Sequence, residues 1–390
     1  MKTGTVPGFL PYFATASRTT SKKTRDCPGF FGRTPDGLGV VLAVALMTLP
    51  GCGGRETAKL TNAHLEPFGT LVFLPWNDGW NNHMYTEIKA LRAMDQLVAA
   101  GIGWVRMDFT RLHIETAPGT YDFARHDWLV RELSRHGIAI LGVLGYSPAW
   151  SSDSGEWNAA PNDPDRFAAY ARATARRYRG RVRAWEIWNE PNSDIYWTPQ
   201  DDLTVYSYLL AVSSNAIRQA DPGALVLHGG MTGDVSGAVR RLYALGQREM
   251  FDAVNLHLFA DPLARDSEWG LTGVVDEIRD VMTEHGDAGK PIWLTELGCP
   301  GIPDGRSPNP WWFGSNPTET EQADFLERAV RALMRGDKVQ KLFWAFYQDT
   351  TDHFHDGIDY FGLVRADFSP KPALAAYTEL IRAMPRGSAR

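Results

Sequence analysis

Two hydrophobic rhythms alternate along the chain from about residue 70 to residue 383. Compact apolar runs at 70–74, 103–109, 138–144, 182–190, 225–228, 253–257, 291–298 and 342–347 read as short strands buried on both faces. Between them, apolar residues recur at three- and four-residue spacing. In 86–99 the repeat is Ile88, Leu91, Met94, Leu97 and Val98, which predicts an amphipathic helix. Further helices are expected over 123–135, from 164 onward, and over 203–218, 235–245, 274–284, 322–334 and 373–383. Two of these have explicit starts: Asp163 caps a helix with Pro164 in its first position, and Thr318-Glu319-Thr320-Glu321 has the form of a capping box. Strict strand–helix alternation repeated eight times predicts an α/β fold, a (β/α)8 TIM barrel, built as a single domain over 69–385.

Chemistry gathers at two predicted strand ends. In Trp185-Glu186-Ile187-Trp188-Asn189-Glu190-Pro191-Asn192, Pro191 cannot continue a ladder and pushes Glu190 out of the helical region, so the strand is expected to stop at Glu190. Alternation would put Glu186, Trp188 and Glu190 on one face and Asn189 on the other; a shared site for Asn189 and Glu190 needs a bulge or a twist. Pro291-Ile292-Trp293-Leu294-Thr295-Glu296-Leu297-Gly298 repeats the grammar, with a glutamate at its end. One glutamate is usually a solvated surface charge. Two at separate strand ends suit glycoside hydrolysis, which needs a proton donor and a nucleophile or base across one bond.

Charge and cysteine usage narrow the partners. The 390 residues carry 40 Lys and Arg against 46 Asp and Glu, a net charge of −6, and no basic block lies in the second half, so nucleic acid is not an expected partner. Lys22, Lys23, Arg25 and Arg33 precede an apolar run at 38–49 that is too short to span a bilayer. Residues 1–52 therefore read as a secretion signal. The run ends in Leu49-Pro50-Gly51-Cys52, which resembles a bacterial lipoprotein processing site with Cys52 as the lipidated residue, a plain cleaved signal and an uncleaved anchor being the alternatives. Polar, aperiodic 53–68 would be the tether, and the protein would be exported to the cell envelope, touching the membrane only through its lipid. Of three cysteines only Cys299 lies in the domain, so no disulfide supports it, and Cys299 reads as packing.

The ordered set Trp104-Val105-Arg106-Met107-Asp108-Phe109, Trp188-Asn189-Glu190-Pro191, Thr295-Glu296-Leu297-Gly298, Phe343-Trp344 and Ser369-Pro370-Lys371-Pro372 resembles the clan A retaining glycoside hydrolases, especially family 39-like and family 5-like members. The resemblance implies Glu190 as acid/base and Glu296 as nucleophile. It also implies Asn189 on the sugar 2-hydroxyl, Arg106 beside Glu296, His257 lining the site, and Trp344 as the floor under the sugar. One departure stands out. Many relatives carry His-x-Tyr, the tyrosine bonding the nucleophile, where this chain has His257-Leu258-Phe259; either a tyrosine from elsewhere, such as Tyr146 or Tyr347, substitutes, or the geometry differs. The substrate implied is a β-linked oligo- or polysaccharide, with no cofactor and no metal.

Other features admit plainer readings. Trp104, Trp128 and Trp185 read as packing, whereas Trp76, Trp80, Trp150, Trp157, Trp197, Trp269, Trp311 and Trp312 fall in expected loops, where exposed indoles suit sugar stacking. Asp349, Asp352, His353, His355 and Asp356 match no compact zinc signature and read as a sugar-binding loop. Glu186 reads as a buried hydrogen-bonding partner. The different-class alternative is a catalytically silent carbohydrate-binding barrel, which has no reason to keep both strand-end glutamates.

Overall fold

A computed structural model describes residues 67–76, 85–303, 315–350 and 357–384. The expected signal, Cys52, Trp80, Trp311, Trp312, Asp352, His353, His355 and Asp356 lie outside the described residues, as does all of the expected tether but its last two positions. Eight parallel strands form one sheet: β1 Phe68–Val72, β2 Trp104–Thr110, β3 Ala139–Gly145, β4 Ala184–Ile187, β5 Leu225–His228, β6 Val254–Phe259, β7 Ile292–Gly298 and β8 Lys341–Trp344. Their order is β5-β4-β3-β2-β1-β8-β7-β6. The helices α1 Glu87–Ala100, α2 Ala124–Arg135, α3 Pro164–Arg177, α4 Thr204–Ala220, α5 Val235–Ala244, α6 Ser267–Glu284, α7 Glu319–Leu333 and α8 Pro372–Ala383 alternate with them. This is the (β/α)8 barrel.

The ring closes between β5 and β6 by unusual means. Only isolated bridges, Leu227 with Ala253 and Met231 with Leu256, join these strands. Side chains complete the seam: His228 Nε2 accepts the Asn255 backbone N–H at 3.1 Å, and Asn255 Nδ2 donates to the His228 carbonyl at 3.1 Å.

Local chemistry explains the elements. Asp163 accepts the Arg166 amide and Pro164 opens α3, while Thr318 and Glu321 form the reciprocal cap of α7. Gly101, left-handed at φ 77°, ends α1. Inside the barrel, Trp104, Leu141, Leu227, Trp293 and Phe343 form an apolar plug, with the Trp104 and Trp293 rings 5.6 Å apart. Gly142 is required for close packing, because a Cβ there would lie 2.5 Å from the Trp185 ring.

Several boundaries differ from expectation. β1 begins at Phe68, inside the stretch read as tether, because Phe68 is fully buried against Tyr377 of α8. A four-residue helix, Arg111–Ile114, and a hairpin, Glu115–Ala117 with Thr120–Tyr121, intervene before α2. α6 starts seven residues earlier than its apolar pattern and takes in Trp269, which is therefore helical and 64% exposed rather than in a loop. Among the described residues, no helix is long and apolar enough to cross a membrane.

Candidate active site

Strand β2 supplies the centre of the site. Its alternation turns Trp104, Arg106 and Asp108 to the interior, with Trp104 in the plug and Arg106 one layer above. The buried guanidinium spans three strands. Its Nε and Nη2 hold Glu186 at 2.8 and 2.9 Å, Nη1 reaches Glu296 Oε1 at 2.6 Å, and Nη2 also donates to Asn189 Oδ1 at 2.7 Å. Glu186, fully buried, accepts the Gly230 N–H as well at 3.0 Å. It is the buried partner the sequence suggested.

The two glutamates arrive by different backbone devices. β4 stops at Ile187, three residues short of Glu190, because Trp188 and Glu190 adopt left-handed conformations, φ 68° and 43°. Trp188 still donates its N–H to Leu144 of β3 at 2.7 Å before the chain turns. Its indole then packs against Phe167 and Trp197 instead of sharing the Glu186 face. The broken alternation brings Asn189 and Glu190 to one site. In β7 the register slips by one residue against both neighbours, around Thr295: Leu256 and His257 of β6 pair with Leu294 and Glu296, and Leu342 and Trp344 of β8 pair with Leu294 and Leu297. This bulge lets Thr295 and Glu296, adjacent in sequence, both face inward.

His257 joins the two strand ends. Nδ1 lies 2.8 Å from Glu190 Oε1 and 3.8 Å from Glu296 Oε1, and Nε2 lies 3.0 Å from Thr295 Oγ1. One carboxylate oxygen of Glu190 and one of Glu296 are within 4.8 Å of each other. These two glutamates and His257 also have the spacing of a cation site. Arg106 already supplies positive charge at 2.6 Å from Glu296, so the donor set does not suit a metal.

Burial raises the proton affinity of both glutamates, which are 8% and 9% exposed. For Glu190, burial and then the neighbouring Glu296 push the carboxyl well above the usual range. For Glu296, burial lifts the carboxyl to about 7, against the pull of Arg106. Arg106 therefore favours the anion at Glu296, while burial and Glu296 favour the proton on Glu190. Burial, with Arg106 and His228, lowers His257 well below its ordinary value, so its ring is neutral.

The remaining expected residues divide. Tyr146, left-handed at φ 52°, packs on Trp157 and Trp188 with its hydroxyl unpartnered among the described residues, and burial, then Asp108, push that hydroxyl well above its ordinary range. Tyr347 is corrected: its hydroxyl bonds Gln96 of α1 at 2.5 Å, turned away from Glu296. Phe259 rests on Phe361. Trp344 is wholly buried, its indole N–H donated to the Phe361 carbonyl at 2.9 Å, so no ring face is open in this structure. Trp150 is 40% exposed and lies over the buried Arg111 guanidinium, 4.9 Å away. Trp197 is corrected from exposed to fully buried, because Trp188 and Tyr206 enclose it. Asp349 is also corrected: its carboxylate is committed to Lys371 Nζ at 3.2 Å and the Gly362 N–H at 2.7 Å. Cys299 is buried, and burial holds its thiol protonated.

Two residues were missed. Asp108 accepts the Trp76 indole N–H at 2.9 Å beside Arg106, and strand alternation from Arg106 would have found it. Tyr196, after β4, has its phenol pushed well above its ordinary range by burial and then by Glu190 and Glu296, and stands 6.0 Å from the Trp157 ring. Only its place in an aromatic-rich loop could have marked it.

The family model of the glycosyl hydrolase catalytic core matches residues 187–381. No curated protein matches the sequence. Among solved structures, a family 39 glycoside hydrolase from Bacteroides cellulosilyticus is similar at 21% identity and a TM-score of 0.64, over 83% of this chain and 64% of that one. A glucosidase from Croceicoccus marinus is similar at 17% and 0.62, over 82% and 68%. The GH5_18 protein from Streptomyces cattleya, solved with Manβ1-4GlcNAc, is similar at 18% and 0.63, over 83% of each chain. The chain thus spans less than two thirds of the length of the family 39 protein. At these identities the likeness establishes the barrel.

Proposed function

Because this chain belongs to the glycosyl hydrolase catalytic core family, we propose that it is a retaining β-glycosidase acting by double displacement on an oligo- or polysaccharide. The observation that carries the reading is one pair of buried carboxyls in unlike surroundings, a guanidinium at Glu296 and an imidazole at Glu190. Arg106 at 2.6 Å favours the Glu296 anion, burial and Glu296 favour the proton on Glu190, and their oxygens are within 4.8 Å. Retaining enzymes separate these groups by roughly 5 to 5.5 Å, and inverting enzymes leave room for water at roughly 6.5 to 9.5 Å. Glu296 attacks the anomeric carbon as the bond to the leaving oxygen breaks, and that oxygen takes the Glu190 proton. Glu190 then removes a proton from the water that releases the sugar from Glu296.

Asn189 has its Oδ1 occupied by Arg106, which turns the amide N–H groups toward a sugar hydroxyl. Tyr146, Trp157 and Tyr196 form a run of edge-to-face rings beside the carboxylates, suited to packing against a pyranose. Proton NMR of the first-formed sugar should show the anomer of the substrate; the opposite anomer would sink the double-displacement reading. Export with lipid anchoring at Cys52 is part of the same proposal, supported by the sequence of residues 22–52. Cys52→Ser should release the protein from the membrane fraction, and retention there would reject the anchor.

A further inference from the structure

The hydrogen bonds behind His257 form a chain whose direction is fixed at its far end. Asn255 donates Nδ2 to the His228 carbonyl at 3.1 Å, which assigns its Oδ1 to Thr295, 2.7 Å away. The Thr295 hydroxyl spends its single proton on that oxygen. Toward His257 Nε2, at 3.0 Å, it can therefore only accept. Nε2 must carry the ring hydrogen, and in a neutral ring Nδ1 is then a bare lone pair. That lone pair faces Glu190 Oε1 at 2.8 Å, and two acceptors at this distance bond only if the carboxyl supplies the proton.

We propose that Asn255 and Thr295 are positioning residues that fix His257 as its Nε2–H tautomer, and that the resulting bare Nδ1 keeps the proton on Glu190. The inference rests on the glycosidase reading for its catalytic meaning, while its geometry stands without it. Once Glu190 has protonated the leaving oxygen, its carboxylate faces a lone pair. That repulsion strengthens Glu190 as the base that next deprotonates water.

The groups around the pair agree with this polarity. Glu296 on β7 and Glu186 on β4 raise the proton affinity of Glu190, whereas Arg106 on β2 opposes them. Arg106 and His228, on β5, disfavour a charged His257, and Tyr196 after β4 adds a neutral phenol. Gly230 lies close against the ring. A Cβ at residue 230 would lie 2.0 Å from Nε2, so Gly230 is what allows the imidazole its place.

The test combines Thr295→Val, Thr295→Ser and imidazole 15N NMR of the wild-type protein. Thr295→Val removes the acceptor for Nε2–H and frees the ring to present Nδ1–H to Glu190, which favours the carboxylate. The basic limb of kcat/KM should then fall by about one pH unit or more, and cleavage of natural glycosides should drop about tenfold or more relative to dinitrophenyl glycosides. Thr295→Ser should restore both. The wild-type spectrum should place the ring hydrogen of His257 on Nε2. An unmoved basic limb in a folded Thr295→Val protein, or a hydrogen on Nδ1 in the wild type, would overturn the relay. A wild-type protein that cleaves no glycoside would overturn the glycosidase reading instead, and the imidazole spectrum alone would then decide the relay.

Discussion

The ends of β4 and β7 look alike in sequence and differ in structure. Each is an apolar run closed by a glutamate with a helix-breaking residue soon after. In β4 the sheet ends early and left-handed residues carry Glu190 onto a turn, where its neighbour is a neutral imidazole. In β7 the ladder continues past Glu296 to Gly298, and the bulge aims the carboxylate at a guanidinium. A turn and a bulge thus lead two identical side chains to different partners, an imidazole and a guanidinium. On the proposed reading, the environment, and not the residue type, assigns acid and nucleophile.

Removing each end should break the comparison unequally. Glu296→Ala removes the proposed nucleophile and should lower turnover of every glycoside by about 10⁵-fold or more, whatever the leaving group. Glu190→Ala should cost about 10²- to 10⁴-fold on natural glycosides yet spare the first step with dinitrophenyl glycosides, giving a burst followed by a slow phase. If the burst belongs to the Glu296 variant, the roles are reversed. Arg106→Met leaves Glu186 and Glu296 buried without their cation and should cost about 3 to 5 kcal/mol in denaturant unfolding; an unchanged midpoint would show that the ion pairs do not hold the two strand ends together.

The pH profile sharpens the same contrast. Activity should rise as Glu296 ionises, through about pH 7, and fall at higher pH as Glu190 loses its proton, so the optimum lies on the alkaline side of 7. A smaller effect concerns stability. Burial lowers His228 to about 4, below its ordinary 6.5. The unfolded chain thus binds a proton between these values that the folded chain refuses, and stability should be full above pH 6.5 and lose about 3 kcal/mol by pH 4 from this group. His228→Asn should make that acid dependence shallower by this group's share, His257 and His126 being depressed as well; an unchanged slope would place the titrating group elsewhere.

The eight-strand alternation was legible because doubly buried strands and amphipathic helices have different periods, and Pro164, Thr318 and Pro191 punctuate them. Glu190 and Glu296 were legible from their strand ends. Their surroundings were less so. Nothing local announces a left-handed Trp188, a conformation few tryptophans adopt, because packing against Phe167 and Trp197 enforces it. The bulge at Thr295 is equally silent, being defined by the register of β6 and β8. Trp197 and Tyr347 were misplaced for a related reason: aromatic residues outside a periodic run can turn inward or outward, and only partners such as Tyr206 and Gln96 decide which.

Where β5 meets β6, two side chains stand in for missing rungs of the ladder. A barrel has no edges only while every neighbouring pair holds, and this pair is the thinnest. Amide exchange should therefore be fastest along this join and slowest between β2 and β3, where pairing runs unbroken from Trp104 to Thr110. Because Asn255 belongs both to the join and to the chain of bonds behind His257, each local opening would also momentarily erase the proton arrangement at Glu190, tying the breathing of the barrel wall to the readiness of its acid.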